Sequence, residues 1–570
     1  MDGPATAPAQ LDGALLSPLL TLLVVAVVVG SLAVVSRLAG YRGGVAAKLR
    51  SRLVMGVPWG TLVSVGIVLA VYLFVQGGWS NWYRPVVTPF RAWSFSYPTG
   101  IVTSGFAHGG PGHLIGNLVG TVVLAPICEY AWGHFPRERG SGSFSSWRTN
   151  PWVRALVVFP AATVLLGLAT GVFAAGPVIG FSGVVFAYAG FALVTRPITA
   201  LVGALGVQSA IGLAYNALRN PIVTANPSPS PPTAPWWADI AIQGHAIGLL
   251  LGVVAAAVLL YRRDETPDAG RVWLAALLFA VEQNLWALYW YLGEEEYVLF
   301  RGPGLVAIAL LALVVTVGVA SSLRERFDQP IGWIGTDTFS TRTAGFVILL
   351  LVLAPIAGMG VGANAFAASP SDPPSNATVV DARDYEVYYA EDVTNEMVAI
   401  VDVEAFGLTT DIRSSGVIVA SERRGIWTQE VSKGELAFLG TTRVVVGGVG
   451  WREAVRVRRD GWSAVGGGAA YKVFIKGDGE AERLSYVSES ATAQPRIEGY
   501  NVSVVPLTEG GFALAVTENG SVVDDARLPA AGENVTLAGI TFEREGRTVY
   551  ATTESGTRVA VLRAERYRQA

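Results

Sequence analysis

Ten apolar runs, most of them near the length of a bilayer crossing, constrain this chain more than any other feature. They fall near 14–36, 57–76, 113–132, 152–174, 181–195, 197–217, 238–261, 272–292, 303–321 and 343–367. A helix needs about 20 predominantly apolar residues to cross the hydrocarbon core, and 181–195 is short of that as written. Composition agrees: 51% of the 570 residues are hydrophobic and 15% charged, where a soluble chain carries roughly a quarter charged residues. Mean hydropathy is +0.44. The apolar excess occupies 14–367 and then disappears, so the chain divides into a membrane half and a soluble half.

Orientation follows from arginine and lysine in the short loops. Arg37, Arg42, Lys48, Arg50 and Arg52 follow the first run, Arg137, Arg139 and Arg148 the third, and Arg196 the fifth. Arg262, Arg263 and Arg271 follow the seventh, and Arg324, Arg326 and Arg342 the ninth. Every alternate loop is basic, which marks these loops as cytoplasmic and places both termini outside. The first run has Asp2 and Asp12 before it and no basic segment, so it reads as a retained helix and not a cleaved signal.

After 368 comes Ser-Pro-Ser-Asp-Pro-Pro-Ser, a linker composition. Beyond it, apolar and polar residues alternate between glycine-containing turns. Val398–Glu404, Gly416–Ala420, Arg443–Val446, Tyr471–Lys476, Tyr500–Val505, Phe512–Thr517 and Thr557–Leu562 read as strands of a sandwich-like all-β domain. Sequons begin at Asn376, Asn501, Asn519 and Asn534, all in this segment, which the charge count places outside. Net charge is −3, which favours no nucleic-acid partner. Cys128 is the only cysteine, so neither an intrachain disulfide nor a cysteine zinc site can form.

The chemistry lies in the membrane half. There are four histidines, His108, His113, His134 and His245, and polar groups inside a membrane are expensive enough to be functional candidates. His108 and His113 belong to His-Gly-Gly-Pro-Gly-His-Leu-Ile-Gly-Asn117, where His113 and Asn117 are i,i+4 and share a helix face. His245 lies in Gln-Gly-His-Ala-Ile-Gly-Leu-Leu-Leu-Gly252; Gly244, Gly248 and Gly252 make a small-residue seam there. A matching seam of Gly183, Ala187 and Gly190 follows Ser182 in Gly180-Phe-Ser-Gly183. Serine is a weak nucleophile until a base takes its proton, and a tetrahedral oxyanion needs donors already aimed at it. Ser182, His245, His113 and Asn117 are the residue types required. No acidic third member is in reach, since Asp239 is nearly two turns from His245, so a dyad is expected.

These motifs resemble the rhomboid intramembrane serine proteases. The family's His-x4-His-x3-Asn, Gly-x-Ser-Gly and His-x2-Gly-x3-Gly are matched in order at His108/His113/Asn117, Gly180/Ser182/Gly183 and His245/Gly248/Gly252. Glu129-Tyr-Ala-Trp-Gly133 is similar to the family's structural Glu-x3-Gly. The resemblance implies Ser182 as nucleophile, His245 as general base and then acid, and His113, Asn117 and the Ser182 amide as oxyanion donors. It implies a loop-holding role for His108 and an aromatic stacked on the catalytic histidine, here Phe186 where relatives often carry tyrosine. The aromatic loop 77–107 is similar to the family's interfacial loop, and the Pro-rich 221–235 occupies the place of the cap over the active site.

The organisation expected is a helix with a basic loop at 1–56, a six-span rhomboid-like core at 57–261, three further spans at 262–368 and an extracytoplasmic β-rich domain at 369–570. The last three spans are expected to deliver that domain to the outside. The activity implied is hydrolysis of peptide bonds in or beside transmembrane segments of bilayer-embedded protein substrates, with no metal or cofactor. Two alternatives stand beside it. One is an inactive relative that binds or escorts membrane proteins, the other a transporter relaying protons or metal through His108, His113 and His245.

Overall fold

A computed structural model describes residues 13–38, 44–136, 141–219, 229–238, 240–293, 296–320, 341–365, 370–375, 377–397 and 412–568. The chain forms two compact units. The helical one holds residues up to Ala365 apart from 230–235 and 290–298; the second holds those segments and the chain from Phe366 onward.

Helices α1 (Gly13–Leu38) and α2 (Gly44–Arg52) precede α3 (Trp59–Val75), α4 (Pro98–Ser104), α5 (Pro111–Trp132) and α6 (Pro151–Phe173). Then come α7 (Ser182–Thr195), α8 (Pro197–Arg219), α9 (Ile242–Arg263), α10 (Ala269–Glu282), α11 (Arg301–Ala320) and α12 (Thr341–Ala365). Among the described residues, seven helices are long and apolar enough to cross a membrane, and α3 and α7 are shorter apolar helices. This is a polytopic helical membrane protein.

One expected span takes another form. The run 272–292 yields α10, which ends at Glu282, and a strand at Tyr289–Gly293 paired with Glu296–Leu299. The break falls at Glu282-Gln-Asn284, where Asn284 adopts φ 56°, a left-handed conformation that asparagine tolerates and that no helix continues through.

The serine helix α7 is the centre of the helical core: Val184 to Gly190 are all buried. Its partner is α9. A methyl added at Gly190 would meet the Leu249 carbonyl, one at Gly248 the Gly183 carbonyl, and one at Gly252 the Ala187 carbonyl. Glycine at these positions is what lets the backbones touch. Gly244 differs from the expected seam: its nearest neighbour is the Ala174 side chain, beyond the end of α6, and not α7.

The second unit is rich in antiparallel sheet. An eight-stranded sheet and a four-stranded sheet of Ala491–Thr492, Asn501–Pro506, Phe512–Glu518 and Ser521–Arg527 share one core, with Trp462, Val502, Leu514, Phe542 and Val561 among its buried residues. Another four-stranded sheet has its own cluster around Tyr388, Ile418 and Trp427. Six of the seven expected strand segments lie in strands, and Val398–Glu404 lies outside the described residues, as do Asp239, the Asn376 sequon and most of 221–235.

Candidate active site

The local fold around Ser182 is set by Gly180. Its φ is +130°, and a Cβ there would lie 2.6 Å from the His113 ring and 3.6 Å from Asn117 Nδ2. Only glycine allows the chain to pass so close to both side chains while turning into α7. The Gly180 amide donates to Ser104 O at 2.8 Å, which anchors the turn. Ser182 is then the first residue of the helix, so its N–H has no preceding carbonyl to bond. At 14 residues α7 rises about 21 Å.

His245 sits in the first turn of α9. Its Nε2 and Ser182 Oγ are 2.8 Å apart. The Phe186 ring lies on the imidazole at 4.2 Å between centroids and 6° between planes. Stacking therefore survives without the hydroxyl that a tyrosine would bring. Beneath Phe186 lies Phe279 of α10, edge-on at 5.4 Å. Phe279 was invisible in the sequence as one aromatic in an apolar run, and it gives α10 a place in the support of the site.

His113 and Asn117 project from α5 toward Gly180, and Asn117 Nδ2 is buried with no hydrogen-bond partner. The His108 ring is edge-on to His113 at 5.1 Å and to Tyr72 at 6.4 Å. The backbone of His108 is held by Gln76, whose Oε1 accepts from His108 N and whose Nε2 donates to His108 O, both at 2.8 Å. Gln76 went unremarked in the sequence, although a lone amide at the end of an apolar run is its signal.

Glu129 is fully buried far along α5 from these groups. It accepts from Gly60 N at 2.7 Å, from Thr61 N and Thr61 Oγ1 at 2.8 Å, and pairs with His134 Nε2 at 2.7 Å. His134 Nδ1 in turn accepts from Val54 N. Gly133, at φ 78°, ends the helix beside it. This cluster fastens the start of α3 to the end of α5.

The fold and the site together define a class: a multi-pass helical membrane protein with a serine and a histidine in hydrogen-bond contact within its helical unit. Residues 96–262 match the family model of the Rhomboid domain, so the chain carries a rhomboid domain. No curated protein and no solved structure matches the chain.

Proposed function

We propose that the protein is an active intramembrane serine endopeptidase acting on transmembrane or juxtamembrane bonds of membrane proteins. The observation that carries this reading is the 2.8 Å contact between Ser182 Oγ and His245 Nε2 beneath the stacked Phe186 ring. His245 Nε2 accepts the Ser182 proton as Oγ attacks the scissile carbonyl carbon. The oxyanion that forms takes hydrogen bonds from the Ser182 N–H, Asn117 Nδ2 and the His113 ring. His245 then gives the proton to the leaving amine, and water releases the acyl group by the same base. No carboxylate is assigned to His245, so the stack on Phe186 orients the ring. A substrate backbone satisfied in a helix hides its carbonyl, so helix-weakening residues are expected near the cleaved bond.

On this reading the bounds 57–261, 262–368 and 369–570 mark a protease core, three accessory spans and a β-rich domain outside the cell. The alternation of arginine-bearing loops supports that orientation. Two sequon asparagines, Asn519 and Asn534, are exposed in the β-rich unit and open to glycosylation there.

The test is cleavage of a single-span reporter by purified protein in detergent, with Ser182→Ala in parallel. The expected result is cleavage that the variant lacks. Equal cleavage by both would sink the assignment, and no cleavage together with retained reporter binding would favour an inactive binding relative.

A further inference from the structure

Free space beside Ser182 is unevenly distributed. The pocket holding Ser182 and the His245 ring contains about 30 Å³, room for one water and not for a peptide side chain. Its wall at Val178, Ala241 and Gly244 is also the wall of a cavity of about 820 Å³ lying between α9, α11 and α12. That cavity is wholly within the helical unit.

Its form follows from how α11 and α12 diverge. They meet at one end, where Gly318 lies against Gly345 and Leu349. At the other end α12 is drawn onto α6: Asn364 Nδ2 donates to Val172 O at 3.2 Å and Ala174 O at 2.9 Å, and Gly360 rests on the Phe173 backbone. The same end of α11 is held at Gly304 against the Trp286 carbonyl. The result is a wedge, closed at Gly318 and widest beside Gln243 and Gly244, next to His245.

The surface of the wedge is apolar. Gln243 is its main polar side chain, and it is already used: Nε2 donates to Phe173 O at 2.9 Å and Ile356 O at 2.7 Å, while Oε1 accepts from Ala175 N at 2.9 Å. Leu310 and Met359 on its lips are 55% and 66% exposed, so the wedge opens sideways between the helices. At the end of α8, Arg219 donates to the Tyr83 hydroxyl at 2.6 Å and the Tyr215 hydroxyl at 3.1 Å, on the exposed surface.

We propose that this wedge receives the apolar segment of a transmembrane substrate adjoining the scissile bond, and that substrates reach Ser182 between α11 and α12. The inference rests on the protease reading of Ser182 and His245. Adjacency carries it: Val178, Ala241 and Gly244 line both a site too small for a side chain and a cavity large enough for several residues. Pockets of roughly 300–1,000 Å³ hold ligands of that bulk. The wedge has no unmet polar group, so it suits apolar side chains. A lipid acyl chain shares that chemistry and is separated by the test.

The test uses the full chain with Ser182→Ala in phosphatidylcholine vesicles with a tagged single-span reporter. Photoreactive benzoylphenylalanine replaces Met359 or Leu310 in the wedge, or Leu213 on the exposed face of α8. Reporter adducts several-fold more abundant at Met359 and Leu310 than at Leu213 are expected. Adducts as strong or stronger at Leu213, lipid adducts alone in the wedge, or no reporter adduct would overturn the proposal. Unsubstituted protein assayed for cleavage alongside keeps the two readings apart. Cleavage with adducts only at Leu213 refutes the wedge and spares the protease. Wedge adducts without cleavage by the unsubstituted protein refute the protease and leave the wedge as a site for membrane segments.

Discussion

The helical and β-rich units differ in where their buried polar groups find partners. In the β-rich unit Arg459, Lys472 and Glu391 are paired, although Arg459 Nη1 and the Ser421 hydroxyl have no hydrogen-bond partner. Arg459 is 5% exposed and lies bidentate on Glu565 at 2.8 and 2.6 Å. The Lys472 ammonium donates to the Leu507, Gly510 and Gly511 carbonyls. Glu391 accepts from Tyr389, Tyr471 and Lys433. The helical unit does the same at Glu129, but around Ser182 it leaves Asn117 Nδ2 and His245 Nδ1 buried and unmet. An unmet buried donor costs about 1–3 kcal/mol. Paired clusters such as these fasten each unit, and the unmet Asn117 amide is the donor that the proposed mechanism assigns to the oxyanion.

The largest expected effect tests the contact at the centre of the unsatisfied region. His245→Ala should lower cleavage by about 10⁴-fold or more, as loss of a base does when residues act as a unit. A residual rate within tenfold of wild type in a reporter assay would contradict the dyad. Asn117→Ala comes next, with kcat down about 10²–10³-fold and KM little changed, because the lost bond belongs to the transition state. A change in KM alone would make Asn117 a ground-state contact.

Packing effects are smaller. Gly252→Ala forces a methyl onto the Ala187 carbonyl and should cost about 1–3 kcal/mol of stability, read as a lower melting temperature in detergent. An unchanged Tm would mean that α7 and α9 separate more readily than their glycine contacts imply.

The smallest effect sharpens the other side of the comparison. Burial alone would push the Glu391 carboxyl up, but hydrogen bonds from Lys433, Tyr389 and Tyr471 together hold it below the usual carboxylate range. A lowered folded value means that its contribution is complete above the unfolded value of about 4.3 and is lost as pH falls through the lower folded one. The stability gap between wild type and Glu391→Gln should therefore narrow on acidification below that point. A gap constant from pH 7 to pH 3 would show that the carboxylate charge is not what matters.

The residues that face one another across α5, α7 and α9 were legible in the sequence because each needs a recognisable neighbour. Gly180 must be glycine to pass His113, and Gly248 and Gly252 must be glycine to meet α7. Phe279 and the wedge were not legible, since they arise from how α10, α11 and α12 lean on the core, and no local pattern encodes that. The eighth run misled for a related reason: its hydropathy continues through Asn284 although its backbone turns there. Gln243 looked like part of a motif flank, yet its three bonds join α9, α12 and the end of α6.

The cluster of three rings, His245 stacked on Phe186 and Phe279 edge-on to Phe186, has a consequence for the modularity of this protein. The first two rings lie within residues 96–262, and the third lies beyond them. A fragment ending at Arg262 would keep every motif residue and lose the ring that packs edge-on against Phe186. The helix α10 is thus not cargo attached to a finished domain. It has become part of the foundation, and the domain cannot be transplanted by its sequence motifs alone.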